Sequence, residues 1–163
     1  CAMRTRTEFV NGSALEIERK FQHKRMPENL TSDAHRLIEQ GYLAVEGGGV
    51  QVRLRRAGDV CSLTYKRGMG NAREEREIAL TAEQFAALWP GTEGRRLTKM
   101  RYEVPFGARM VEVDVYTSRH EGVVVAEVEF PDEASCRDFI PPDRMGEDVS
   151  GAEQYRNVVT SRS

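Results

Sequence analysis

The chain of 163 residues lacks most of the marks by which a membrane, redox or nucleic-acid protein is recognised. Its wholly apolar runs, such as Val123 to Ala126, are far too short to span a bilayer. The first residues show no basic-then-apolar order of a signal peptide. Cys1, Cys61 and Cys136 are scattered, without CxxC or zinc spacing, so Cys61 and Cys136 read as small packing residues of a reduced compartment. The expected location is cytoplasmic. His23, His35 and His120 are isolated and no HExxH is present, which leaves them loop or surface roles. Nor does one charge dominate: 24 Lys and Arg stand against 26 Asp and Glu, for a net charge of −2. That balance excludes the global basic excess of a nucleic-acid binder. The partners expected are small molecules, with no nucleic acid and no membrane; a homodimer is left open.

What the chain does have is charge, at 31% of residues, and it is arranged locally. In the stretch Glu16-Ile17-Glu18-Arg19-Lys20-Phe21, strand alternation puts Glu16, Glu18 and Lys20 on one face and Ile17, Arg19 and Phe21 on the other. The same spacing of two recurs down the chain. Arg53 and Arg55, then Lys66 with Thr64, share faces in a hairpin around Ala57-Gly58-Asp59. Arg73, Glu75 and Glu77 follow, then Lys99 and Arg101, Glu112 and Asp114, and Glu127 and Glu129.

The connecting segments read more simply. Residues 1–14 are expected as a flexible arm and 15–163 as one domain. A short helix is expected from Thr31 or Ser32 through Gln40, ended by Gly41, with a short strand over Tyr42 to Val45. Gly47-Gly48-Gly49 reads as a turn, since no helix start follows to make it a phosphate cradle. Thr81 and Gln84 have capping-box spacing for a helix that Pro90-Gly91 stops, and Trp89 is expected as a packing anchor. A short helix after Pro131 and a last one over about 152–160 complete the expectation.

Two architectures accommodate such strands. In a sandwich the charged faces are solvated exteriors. In a closed antiparallel barrel they line a wet lumen while apolar faces lie outward under helices. Grouping of charge by sign along whole strands, and helices that need an apolar surface to rest on, favour the second. The fold class expected is α+β: an eight-stranded antiparallel closed β-barrel with helices packed outside. A dry lumen would cost several kcal/mol per ion, so the lumen is expected to hold water and ions. Basic rows suit the phosphates of a polyanion. Acidic rows beside them suit a hard divalent cation, Mg²⁺ or Mn²⁺, because only oxygen ligands are offered.

Glu16-x-Glu18-x-Lys20 is similar to the ExExK motif of the CYTH superfamily, the triphosphate tunnel metalloenzymes. Gln40-Gly41-Tyr42-Leu43 resembles the family's Q-x-Y-L segment, Arg53-Leu54-Arg55 its R-x-R strand, and Thr64-Tyr65-Lys66 its T-x-K strand. Arg73-x-Glu75-x-Glu77, Lys99-x-Arg101, Asp114-Val115-Tyr116 and Glu127-Val128-Glu129 follow in the family's order. Gly146-x-Asp148-Val149-Ser150, with Tyr155 and Asn157, is similar to the tail of short bacterial members.

The resemblance implies a divalent-metal-dependent hydrolase of inorganic tripolyphosphate. Lys20, Tyr42, Arg53, Arg55, Lys66, Arg73, Lys99 and Arg101 would hold the phosphates, with Tyr42 near the tunnel mouth. Glu16, Glu18 and Glu129 would carry one metal ion. Glu75, Glu77 and Glu127 are candidates for a second, and Asp114 would reach metal through water or orient a basic neighbour; Glu112 is less defined. Lys20, Lys66, Glu75, Glu77 and Glu127 are the candidate catalytic residues. Thiamine triphosphatase and class IV adenylate cyclase share the implied tunnel. A non-catalytic polyphosphate- or nucleotide-binding module is the alternative of another class, although a pure anion binder gains little from the acidic rows.

Overall fold

A computed structural model describes residues 12–22, 34–68, 71–118 and 121–150. Eight strands form the wall: β1 (Gly12–Gln22), β2 (Ala34–Glu46), β3 (Val50–Ala57), β4 (Val60–Arg67), β5 (Ala72–Leu80), β6 (Arg96–Phe106), β7 (Arg109–Tyr116) and β8 (Val124–Phe130). Helix α1 (Ala82–Leu88) links β5 to β6, and α2 (Glu133–Asp138) follows β8. Around the wall the order is β1-β5-β4-β3-β2-β6-β7-β8, closed by antiparallel pairing of β8 with β1. The two-residue strand β9 (Glu147–Asp148) adds to β1 at Phe21 and Gln22. The expected eight-stranded barrel is what the chain forms.

The barrel turns the usual arrangement inside out. Ile17, Phe21, Val111, Val113, Ala126, Val128 and Phe130 form the main apolar cluster on the outer face, where Cys136 of α2 joins them. Each such side chain contributes about 1.5–3 kcal/mol on burial. A second outer cluster, Leu54, Cys61 and Phe85, seats α1, and Trp89 packs against it with its ring 4.9 Å from that of Phe85. Trp89 is thus a packing anchor, as expected. Thr81 caps α1 in the reciprocal manner its spacing with Gln84 foretold. Cys61 and Cys136 are free and buried, and burial raises both thiols.

One element differs in kind from its sequence expectation. No helix ends at Gln40; β2 runs unbroken from Ala34 to Glu46. Leu37 and Ile38 suggested a helical face, but the true period is two, with Ile38, Gln40 and Tyr42 buried on one side and Leu37 exposed on the other. Pairing with both β3 and β6 outweighs the local capping signal. Gly41 is no helix stop: a Cβ there would sit 2.6 Å from the Thr92 side chain, so glycine makes room for that close approach.

Smaller differences follow. Gly12–Ala14, expected in the arm, belong to β1. Pro105 and Phe106 extend β6, so the turn there is Gly107-Ala108. Helix α1 ends at Leu88, just before Pro90 as expected, and the chain then tightens into a 3₁₀ turn over Trp89–Thr92. Gly47–Gly49 also forms a 3₁₀ turn, between β2 and β3. Residues 1–11 of the arm, His23, His120 and the helix expected over 152–160 lie outside the described residues. His35 is exposed against the Tyr102 ring. Among the described residues no helix is long and apolar enough to cross a membrane.

The stretch after α2 returns to brace β1. Val149 N–H donates to the Lys20 carbonyl at 2.8 Å, and Ser150 Oγ accepts from Lys20 N–H at 2.9 Å. Asp148 accepts from Arg19 Nε and Nη2 at 2.9 and 2.8 Å. Arg19, on the outer face, also donates to the Cys136 and Phe139 carbonyls and lies over the Phe21 ring. The backbone of Lys20, whose side chain faces inward, is therefore held from outside.

Candidate active site in the barrel lumen

Directly paired residues in an antiparallel sheet share a face, so the registers place the charged rows together. Glu16 lies opposite Arg73, Lys66 opposite Glu75, Thr64 opposite both Arg53 and Glu77. Arg101 lies opposite Asp114, Glu112 opposite Glu127, and Lys20 opposite Glu127. Gln40 lies opposite Arg55 and Tyr42 opposite Arg53. The barrel brings every site residue expected from the sequence to its inner face.

On the wall of β6, β7 and β8 the charges answer one another. Asp114, 0% exposed, accepts from Lys99 Nζ at 2.5 Å and from Arg101 Nε and Nη2 at 2.7 Å each. Arg101 also pairs with Glu112 at 2.6 Å and reaches Glu127 at 3.3 Å. Burial raises a carboxyl, but Arg101 and Lys99 outweigh it and hold Asp114 below the ordinary aspartate range. Burial wins for Lys99: with Arg101 and Arg55 also facing it, its pKa falls to about 7 despite Asp114. Asp114 thus contacts two basic side chains at once.

The wall of β3, β4, β5 and β1 is different. Arg53 is buried, yet its Nε has no hydrogen-bond partner, and Nη2 makes only a long 3.4 Å bond to Thr64. Arg73, opposite Glu16, has both Nε and Nη2 buried and unpartnered. Orphaned guanidinium donors are costly to bury and mark a place for an acceptor. Lys66 bonds to Glu16 at 2.5 Å and lies 3.6 Å from Glu75. Arg55 donates to Gln40 Oε1 at 3.0 and 2.8 Å, and Gln40 donates to the Tyr42 hydroxyl at 2.9 Å.

Acidic groups also crowd each other. Glu18 is directly opposite Glu129, and Glu112 opposite Glu127. Like charges in that relation repel. Glu18 is raised to about 7, first by burial and then by Glu16 and Glu127. Lys20 answers this cluster: burial disfavours its charge, but Glu127 at 3.4 Å, Glu18 and Tyr42 more than compensate and raise it. Such a set of oxygen donors, short of positive charge, suits a hard divalent cation. Among the described residues no three His, Cys, Asp or Glu side chains are gathered at ligand spacing; Lys66 pairs with Glu16 and Lys99 with Asp114.

Exposure differs among the expected site residues. Tyr42 is 1% exposed, and its hydroxyl accepts from Gln40. Glu129, by contrast, is exposed while its expected companions Glu16 and Glu18 are not. Sequence reasoning also passed over Gln40, Gln51, Ser62 and Tyr116, all buried on the inner face. The signal for Gln40 was its spacing of two from Tyr42, which a strand over both would have exposed.

No family model matches the chain. It is 38% identical over 151 residues to an inorganic triphosphatase of Nitrosomonas europaea, a match covering 91% of this chain and 97% of that protein. An inorganic triphosphatase of Acetivibrio thermocellus is 32% identical over 150 residues, covering 87% of this chain and 90% of its own. The crystal structure of an inorganic triphosphatase superposes with a TM-score of 0.67 at 34% identity, over 91% of this chain and 98% of that one. A putative adenylate cyclase from Bacillus halodurans, at 14% identity and TM-score 0.59, shares the fold over 77% of this chain and 86% of its own. With the charged rows closed into one lumen and these relatives matched nearly end to end, the chain belongs to the CYTH, or triphosphate tunnel, superfamily, in the branch that contains the inorganic triphosphatases.

Proposed function

We propose that the protein hydrolyses inorganic tripolyphosphate in its lumen with the help of a divalent cation, in the cytoplasm. The observation that carries this reading is the set of buried, unpartnered donors on Arg53 and Arg73, which face into the lumen. A short polyanion supplies several acceptors for them at once. The names of the relatives point to the same substrate.

In this reading the oxygens of the chain of phosphates take the free donors of Arg53 and Arg73, with Lys20, Arg55, Lys66, Lys99, Arg101 and Tyr42 lining the rest. Phosphoryl transfer asks mainly for positioning and for neutralising charge on the non-bridging oxygens, which these rows provide. Water oxygen bonds to the terminal phosphorus, the bridging P–O bond breaks with its electron pair on the leaving pyrophosphate, and the water proton is released. Lys99, lowered to about 7, is able to take up a proton as the polyanion enters. Glu16, Glu18 and Glu129 would hold Mg²⁺ or Mn²⁺, Glu75, Glu77 and Glu127 would supply ligands for a second ion, and Asp114 would reach metal only through water. A bound ion would add charge neutralisation at the phosphates. Adenine- or thiamine-specific readings gain no support from Trp89, which is committed to Phe85 outside the barrel.

The test is phosphate release from tripolyphosphate, ATP and thiamine triphosphate, with Mg²⁺, Mn²⁺ or chelator. Strong preference for tripolyphosphate that chelator abolishes is the expected result. Formation of cyclic AMP from ATP would overturn it, and turnover undiminished by chelator would remove the metal.

A further inference from the structure

Gln40 is 0% exposed, and its amide stands between two residues of the lumen. It lies opposite Arg55 on β3 and two places before Tyr42 on β2, so all three share the inner face. Its partner on β6 is Leu97, whose side chain offers it no polar group. With water excluded, the amide must find its hydrogen bonds within the protein.

Those partners fix its direction. A guanidinium has donors only, so the amide oxygen is the end that faces Arg55. It accepts from Nε at 3.0 Å and from Nη2 at 2.8 Å. The amide nitrogen is thereby turned to Tyr42 and donates to its hydroxyl oxygen at 2.9 Å. A hydroxyl that accepts from an amide keeps its own proton to give away. Among the described residues the Tyr42 hydroxyl makes no other hydrogen bond. Tyr42 lies directly opposite Arg53, whose Nε is buried and unpartnered. Arg53 and Tyr42 thus present free donors from paired positions of one wall.

We infer that Gln40 is a positioning residue of the phosphate site: it holds the Arg55 fork and makes the Tyr42 hydroxyl a donor to a phosphate oxygen. This rests on the triphosphate reading. The donors run one way, from guanidinium to amide to hydroxyl to phosphate, and each bond polarises the next. A carboxylate at this position would keep the first link and reverse the second, because it only accepts. Tyr42 would then give its proton to the carboxylate and turn a lone pair toward the phosphate.

The test is a double-mutant cycle of Gln40→Glu with Tyr42→Phe, read as kcat/KM for tripolyphosphate. In the wild-type background Tyr42→Phe should cost about 10-fold or more, the loss of a hydrogen bond to a charged group. In the Gln40→Glu background the same substitution should cost less than about 2-fold, since the hydroxyl no longer faces the substrate. Gln40→Met, uncharged and of similar length, should uncouple Tyr42 in the same way, and it serves if Gln40→Glu does not fold. A merely structural Gln40 would lower stability or activity but leave the Tyr42→Phe factor equal in every background, and that result would overturn the inference. Full activity of Tyr42→Phe in the wild-type background would overturn it too. Failure of the wild type to hydrolyse tripolyphosphate would instead defeat the proposed activity, and the same cycle read by calorimetric binding of tripolyphosphate would still test Gln40.

Discussion

Two walls of one barrel carry similar numbers of charges and use them in opposite ways. On β6, β7 and β8, both oxygens of Asp114 are taken by Lys99 and Arg101. On β3 and β5, Arg53 and Arg73 keep buried donors without partners. The first wall has its energy in internal pairing; the second is left incomplete in a way that an anion relieves. Burying ions is expensive everywhere in the lumen, so the difference separates a framework from a binding surface.

The largest effect should come from opening the closed wall. Asp114→Asn leaves Lys99 and Arg101 with a neutral partner, and loss of a buried ion-pair member costs about 3–5 kcal/mol. Chemical denaturation reads that loss, and a variant as stable as wild type would contradict the framework role. On the other wall the expectation reverses. Arg73→Ala should leave the melting temperature near wild type but lower kcat/KM for tripolyphosphate about 100-fold or more, as removal of a preorganised donor does. A variant that unfolds instead would show that Arg73 belongs to the framework.

The acidic cluster sharpens the contrast through pH. Glu18 goes from 4.5 to about 7 on folding, so between those values the native state binds more protons than the unfolded state. Its contribution is fully present below pH 4.5 and is lost as pH rises through about 7. Lys99 goes the other way, from 10.5 to about 7, and its contribution to stability grows as pH rises between them. Glu18→Gln should therefore flatten the fall in melting temperature on the acid side of neutrality. An unchanged slope would mean that Glu18 is not the group responsible. The smallest effect lies outside the barrel: Asp148→Asn weakens a partly exposed pair with Arg19 and should cost about 0.5–1 kcal/mol in denaturant unfolding.

These walls were unequally legible in the chain. Strand alternation exposed both charged rows, because a period of two survives any partner, and the Thr81 capping box was equally local. What alternation cannot give is who answers whom. Lys99 and Arg101 looked like phosphate ligands of the same standing as Arg53 and Arg73; only the register that sets Arg101 against Asp114 separates them. β2 was misread for the same reason, since its strand character comes from β3 and β6 and not from its own residues. That error hid that Gln40 and Tyr42 share one buried inner face.

The most direct measurement is a calorimetric titration of tripolyphosphate into the wild-type protein and into the pair Arg53→Gln with Arg73→Gln. The wild type should bind, and the double variant, melting close to wild type, should lose that binding. Retained affinity in the folded double variant would contradict the assignment of the incomplete wall as the triphosphate site.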